Sequence, residues 1–386
     1  MPSTGAAILY FASVYWDDPL IVTQQVAIQL ARRGPILYVE PPPCSVYLRQ
    51  PARNRRWLRA GRAPRRITDG LHVYTPPPVL PFKTRVAVFN AASQAWVTPF
   101  VRRAMRTVGI DRPVLFTYLP HLYASVGRYD ERLVCYYCID NMGALTRAID
   151  PAIVAGYERR LLARTDVALT TSRGLAEKLG PLHRRIQVVP SGTDADLYAR
   201  ALDAGTVVAP ELTGLPGPVI GFSGAVDFRL DQDLISEAAR RRPSWSFVFV
   251  GPRRTSVGRL AAHPNIRFIP PQPQSALPAL FKGFTVALIP YRRGPLVDFI
   301  YPTKLNDYLA AGVPVVSTHL PELEGVPNDI VEQVGDVGEL LLAIERAMPT
   351  RVDEAHRARR VEFARSNSWE CRARAIAAAI DRALAG

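Results

Sequence analysis

At 386 residues the chain exceeds what one core usually supports, so two domains are expected. Apolar residues make up 48% and charged residues 21%, ordinary for a folded soluble protein, while four cysteines exclude a disulfide scaffold and no apolar run reaches membrane-spanning length. The net charge of +14 is lopsided: residues 1–195 carry 26 Lys+Arg against 13 Asp+Glu, and residues 196–386 carry 22 against 21.

The apolar stretch from Gly5 to Trp16 has no preceding basic segment and no cleavage site, so it reads as a first strand rather than a signal peptide. A cytoplasmic protein is expected. Strand-like runs then recur at Ala7–Ala12, Ile36–Val39, Leu71–Tyr74, Val114–Tyr118, Leu133–Ile139, Val167–Thr171 and Ile186–Val189. In the second half they recur at Val219–Ser223, Ser246–Val250, Ile266–Ile269, Val286–Ile289 and Val313–Ser317. Helix-like segments separate them, which argues for parallel α/β architecture.

Between Glu40 and Asp69 no acidic residue occurs. The tract 49–66 holds Arg49, Arg53, Arg55, Arg56, Arg59, Arg62, Arg65 and Arg66, with Trp57 and Leu58 among them. Such a segment fits an anionic membrane surface as partner, on the inner face of the membrane. A solvated loop is the alternative reading, and nucleic acid, which fits on charge alone, is not taken as a partner. His121 follows the strand at Val114, and Asp140 with Asn141 follows the strand at Leu133. Strand ends of this kind line the ligand crevice of an open parallel sheet, which makes His121 and Asp140 the candidate catalytic residues of the first half. Cys135 and Cys138 lie in a strand, where residues three apart face opposite ways, so they read as buried thiols.

The boundary falls after Val188-Val189-Pro190-Ser191-Gly192-Thr193-Asp194, dividing the chain into domains 1–195 and 196–368, with a final helix at 369–386 capped from Ser366 to Ser368. Just beyond it, Gly221-Phe222-Ser223-Gly224 turns from strand toward a helix spanning about Leu230 to Arg241. A glycine turn lets backbone N–H groups approach a phosphate, and Arg229 offers a bidentate fork beside it. Asp231-Gln232-Asp233 and Asp194-Ala195-Asp196 match a metal-holding DxD spacing, but helix first turns attract acids anyway, and no metal is expected. Arg292-Arg293-Gly294-Pro295-Leu296-Val297-Asp298 supplies two cations, backbone amides and the Asp298 carboxylate.

Tyr301 to Ser317 carries the densest signal. Pro302 and Thr303 supply first-turn and N-cap chemistry, and Gly312 with Pro314 closes the helix. Leu305 and Leu309 share one face, and Lys304, Asp307 and Ala311 share another. A cation and a carboxylate presented together suit a phosphorylated, hydroxyl-rich ligand; a surface helix with an i,i+3 ion pair is the plainer alternative.

The pattern Tyr301-Pro302-x-Lys304-Leu305-x-Asp307-Tyr308-Leu309-Ala310-Ala311-Gly312-x-Pro314-Val315-Val316 resembles the nucleotide-binding signature of family 4-like, retaining GT-B glycosyltransferases of the bacterial envelope-polysaccharide type. Pro190-Ser191-Gly192-Thr193-Asp194 resembles their domain-joining segment, and Phe249-Val250-Gly251-Pro252 with Phe222-Ser223-Gly224 resembles their donor-domain opening. The resemblance implies two Rossmann-like domains with parallel sheets facing an interdomain cleft. The first would bind a glycan or lipid-linked acceptor, the second a nucleotide-diphosphate sugar such as a UDP-sugar, with the last helix crossing back to the first. It implies a hexosyl transfer with retention and without a metal cofactor, in envelope or exopolysaccharide synthesis. Donor contacts are implied for Gly224, Arg229, Asp298, Tyr301, Pro302, Thr303, Lys304 and Asp307, with Asp307 at the ribose hydroxyls. The chain departs from the usual Glu-x7-Glu: Asp298 and Asp307 are one residue further apart, and Phe299 stands where the first acid is common. A nucleotide-sugar epimerase or hydrolase of the same fold, and a non-catalytic sugar-nucleotide-binding or polysaccharide-binding subunit, remain the alternatives.

Overall fold

The computed structural model describes residues 5–43, 57–79, 86–145, 150–294 and 296–386. Arg49, Arg53, Arg55 and Arg56 of the basic tract, and Pro295, lie outside them. The chain divides into two compact units, one of residues 1–190 and 372–386, the other of residues 191–371.

In the first unit, β1 (Ile8–Phe11), β2 (Ile36–Val39), β3 (Arg65–Thr68), β4 (Leu71–Tyr74), β5 (Val114–Thr117), β6 (Leu133–Cys138), β7 (Val167–Thr170) and β8 (Ile186–Val188) form one sheet in the order β3-β4-β2-β1-β5-β6-β7-β8. The apolar strands are buried along their whole length, as a parallel sheet covered on both faces requires. Strand β3 departs from the expectation: it pairs antiparallel with β4 and puts part of the basic tract into the sheet edge. Three of its four residues are exposed, so no apolar run marked it. Arg59 and Arg65 both pair with Asp17, and Arg66 pairs with Asp69, so this part of the tract is not the fully solvated loop of the plainer reading. Cys135 and Cys138 are free, buried thiols.

In the second unit, β9 (Val219–Ser223), β10 (Ser246–Val250), β11 (Ile266–Ile269), β12 (Val286–Ile289), β13 (Val315–Thr318) and β14 (Val331–Val334) form an all-parallel sheet in the order β11-β10-β9-β12-β13-β14. Strand β13 starts two residues later than the sequence suggests. Gly312 at φ +68° and Pro314 keep the chain in a turn, where Gly312 N–H bonds the Leu309 carbonyl and Val313 N–H bonds the Tyr308 carbonyl. Strand β14 was missed because Glu332 and Gln333 interrupt its apolar ends. The linker is seated by Trp369: a Cβ at Gly192 would lie 2.8 Å from Trp369 N, and Trp369 N–H bonds the Thr193 carbonyl at 3.0 Å. Ser368 caps the last helix, Trp369–Ala385, its Oγ accepting from Cys371 N–H at 3.3 Å.

Candidate functional site

The two central strands of the second sheet, β9 and β12, are neighbours in space, and the chain leaves β9 for β10 on its other side. Their carboxyl ends therefore flank a topological switch point, where open α/β sheets bind ligands. Gly224 follows β9, Tyr291 follows β12, and the helix Lys304–Ala310 packs behind both. Buried Tyr308 ties that helix to the strand end: its hydroxyl accepts from Ser223 N–H at 2.6 Å.

Lys304 reaches across Gly224. Its Nζ lies 5.6 Å from the Phe222 ring centre, 5.9 Å from that of Tyr291, and donates to the Tyr291 hydroxyl at 3.1 Å. A Cβ on Gly224 would fall 2.1 Å from Lys304 Cε, and Gly224 itself has φ +147°. Gly251 repeats the device one strand over, since its Cβ would meet the Gly224 carbonyl at 2.2 Å. Two glycines thus let the backbone turns stack and the ammonium lie on top of them.

Arg229 lies beside this turn. Its Nε and Nη2 grip Asp227, at 2.9 and 2.7 Å, and its guanidinium sits 5.8 Å from the Tyr291 ring centre. Burial pushes the Asp227 carboxyl up, but the Arg229 bonds more than offset it and leave it below the ordinary carboxylate value. Sequence reasoning gave Asp227 no role; an acid two residues before the arginine was the available signal.

Asp307 faces the linker. Its carboxylate accepts from Thr193 Oγ1 at 2.6 Å. Burial pushes it up to about 7, opposed by the Thr193 bond and by the Lys304 charge. Thr193 was read only as part of the joining segment, yet it is the side chain that holds this carboxyl.

One expected cap is not formed, and the other singled-out side chains make contacts within the protein. Thr303 makes no side-chain cap, because its backbone is already helical at φ −52°, ψ −33° and cannot aim the hydroxyl at the first turn. Pro302 is buried and gives its carbonyl to Leu305 N–H. Tyr301 exchanges hydrogen bonds with the Asn306 side chain at 3.2 and 3.3 Å. Asp298 closes its own loop, accepting from Arg293 Nε at 2.7 Å and from Gly294 N–H at 3.5 Å. Arg292 pairs with Asp233 at 3.1 Å, so the two arginines of this loop are matched by acids rather than held as a cationic pair. In the DxD patterns, Asp231 and Asp194 cap helices, accepting from Leu234 and Leu197 N–H.

Residues 217–349 match the family model of glycosyl transferases group 1. A protein named as a teichuronic acid biosynthesis glycosyltransferase, TuaH of Bacillus subtilis (strain 168), is 29% identical over 276 residues, covering 66% of this chain and 68% of that protein. Sucrose-phosphate synthase from Thermosynechococcus elongatus superposes with a TM-score of 0.70 at 14% identity, over 98% of this chain and 99% of that one. The chain is a GT-B glycosyltransferase. A UDP-forming alpha,alpha-trehalose-phosphate synthase from Burkholderia xenovorans shares the fold at a TM-score of 0.69 and 13% identity, over 99% and 100% of the two chains.

In the first unit of this glycosyltransferase, Asp140 follows β6 and His121 lies in the short helix Pro120–Ala124 after β5, on adjacent strands. The His121 carbonyl is held by Asn90 Nδ2 at 2.7 Å. Next to Asp140, Asn141 Oδ1 accepts from Lys178 Nζ at 3.1 Å, and Lys178 pairs with the buried Glu158 at 3.5 Å. Glu158 also accepts from the Tyr136 hydroxyl at 2.7 Å, so a chain of contacts from buried Glu158 through exposed Lys178 anchors the loop that carries Asp140.

Proposed function

We propose that this glycosyltransferase transfers a hexosyl group, with retention, from a nucleotide-diphosphate sugar to a glycan or lipid-linked acceptor of an envelope polysaccharide. The observation that carries the donor assignment is Lys304 lying on the Gly224 turn at the switch point of the second sheet. A cation over a glycine turn at a strand end suits a diphosphate. Arg229, oriented by Asp227, adds a planar fork. Asp307 takes the ribose hydroxyls. The UDP-forming synthase of the same fold supports uridine as the base, and the TuaH likeness supports an envelope polysaccharide as product.

Chemically, the bond from the anomeric carbon to the departing diphosphate oxygen breaks and a bond to the acceptor hydroxyl oxygen forms on the same face. The acceptor proton passes to the departing phosphate. Negative charge grows on the leaving group, where Lys304, Arg229 and backbone amides stabilise it more in the transition state than in the ground state. In this reading the unit of residues 1–190 and 372–386 binds the acceptor, with Asp140 and His121 beside it.

The test is a thermal-shift screen with UDP, GDP, ADP and TDP, followed by turnover of the matching sugar nucleotide. UDP is expected to raise the melting temperature of the wild type and not of Lys304→Ala. Asp307→Ala and Arg229→Ala are expected to lose about a hundredfold or more in kcat/KM, the scale of removing a charged transition-state contact. Near-normal turnover in either variant defeats the assignment. Donor incubated alone separates transfer from epimerisation or hydrolysis.

A further inference from the structure

The N-terminal half of the helix Ala87–Thr107 of the first unit is turned the wrong way round for a helix in water. Its inward side there carries buried Asn90, Ser93 and Gln94, whereas from Val97 on the helix buries Val97, Val101, Ala104 and Met105 in the usual way. Gln94 Oε1 accepts from Ser125 Oγ at 2.7 Å, and Gln94 Nε2 donates to Asn90 Oδ1 at 3.4 Å. Its outward side shows Val88, 72% exposed, with Phe89, Ala92, Ala95, Trp96, 54% exposed, and Pro99. A helix on a soluble core normally places these two sets the other way. Further along the same face come exposed Arg102, Arg103 and Arg106, and the helix contains no acid.

Among the described residues, the surroundings share this character. Residues 57–79 and 86–110 hold seven Lys+Arg and one acid, Asp69. Trp96 Nε1 donates to the Pro78 carbonyl at 3.1 Å, just beyond β4. Gly61 N–H bonds the Thr75 carbonyl at 2.9 Å, bringing the segment with Leu58, 63% exposed, and exposed Arg62 to the same end of β4.

We propose that the outward face of this helix docks the first unit on an anionic lipid bilayer. The helix lies in the interfacial plane, with Val88, Phe89 and Trp96 at the boundary of headgroups and acyl chains and the arginines among lipid phosphates. Among the described residues no helix is long and apolar enough to cross a membrane, so the contact is peripheral. Charge selects lipid over a second copy of this basic surface, which would repel itself. Exposed Val88 and Phe89 select lipid over nucleic acid, which has no use for an aliphatic face. The sequence pointed to the tract 49–66, whose Arg49, Arg53, Arg55 and Arg56 lie outside the described residues; Arg59, Arg65 and Arg66 are matched with acids, and the described apolar face is on this helix. The inference stands apart from the donor assignment.

The experiment is sedimentation of the full chain with vesicles of phosphatidylglycerol and phosphatidylcholine, against phosphatidylcholine alone, at low and high salt. Wild type is expected to bind the anionic vesicles about tenfold or more tightly and to weaken with salt. Val88→Glu/Trp96→Glu and, separately, Arg102→Glu/Arg103→Glu are expected to lose about tenfold each, whereas Trp96→Phe keeps binding. The same variants should retain the wild-type circular dichroism and UDP-induced thermal shift, which isolates the docking face from folding and from the donor site. Equal binding to neutral vesicles, no binding at low salt, or wild-type binding by Val88→Glu/Trp96→Glu would overturn the proposal, the last two pointing to a protein or nucleic-acid occupant.

Discussion

Gly224 is glycine for two independent reasons, its φ of +147° and the 2.1 Å that would separate its Cβ from Lys304 Cε. Gly224→Ala is therefore expected to cost about 1–3 kcal/mol in strain and to push Lys304 off the turn. Denaturant unfolding should show the first effect and a raised KM for the donor the second; a variant with wild-type KM would show that Lys304 does not need this seat. Asp307 makes a pH prediction. Its folded value, about 7, lies above the ordinary 3.8, so between these values the unfolded chain gives up a proton that the fold retains. Stability from this group accordingly falls as pH rises from 4 toward 7 and stays low above it, by on the order of 1–4 kcal/mol. Asp307→Asn should remove that slope in unfolding curves at pH 5 and pH 8. Donor binding to the ionised carboxylate should release a proton below pH 7, measurable as a buffer-dependent binding enthalpy. Helical spacing alone put Lys304 and Asp307 on one helix, three residues apart, but not where each reaches, Lys304 to the Tyr291 hydroxyl and Asp307 to Thr193. The grip of Asp227 on Arg229 and of Thr193 on Asp307 was not, because the first is set by a turn and the second joins residues 114 positions apart.

The helix Lys304–Ala310 is only seven residues long, so its own dipole contributes little; its position has to be fixed from outside. Tyr308 holds it to Ser223, and two arginines hold the turn that ends it. Arg351 Nη1 and Arg360 Nε both donate to the Gly312 carbonyl at 3.2 Å, and Arg360 Nη2 donates to the Thr350 carbonyl at 2.6 Å. Arg360 is buried, and burial pulls its guanidinium down to about 10. Arg360→Met keeps the volume but strands the Thr350 carbonyl, so a loss of about 2–4 kcal/mol is expected from urea unfolding. A loss below about 0.5 kcal/mol would mean that Arg351 suffices. The strands around this helix were legible because each is a bounded apolar run. Strands β3 and β14 were not, since edge strands with polar residues at their exposed or half-buried positions carry no such run.

At the scale of the whole chain, composition and turn chemistry put the boundary after residue 195 and set residues 369–386 apart, whereas the compact units divide after Pro190 and after Cys371. It had no means of weighing that helix's contribution, which depends on contacts spanning most of the chain. Ile376 and Ile380 are buried, Asp381 pairs with Arg33 at 3.2 Å, and Arg382 Nη2 donates to Gln187 Oε1 at 2.8 Å. The apolar pair outweighs the exposed ion pair: burial of two isoleucines stabilises by about 1.5–3 kcal/mol each, whereas a surface pair contributes about 0–1. Ending the chain at Cys371 should therefore lower the melting transition of the first unit while leaving that of residues 191–371 in place. Saturating UDP should do the converse, raising the second transition by about 2.7 kcal/mol at a hundred times Kd and leaving the first alone. Calorimetry of the full and shortened chains, with and without UDP, measures all four states. If UDP moves both transitions of the shortened chain equally, the nucleotide does not belong to the second unit. If the truncation moves neither, the last helix is not part of the first unit's core.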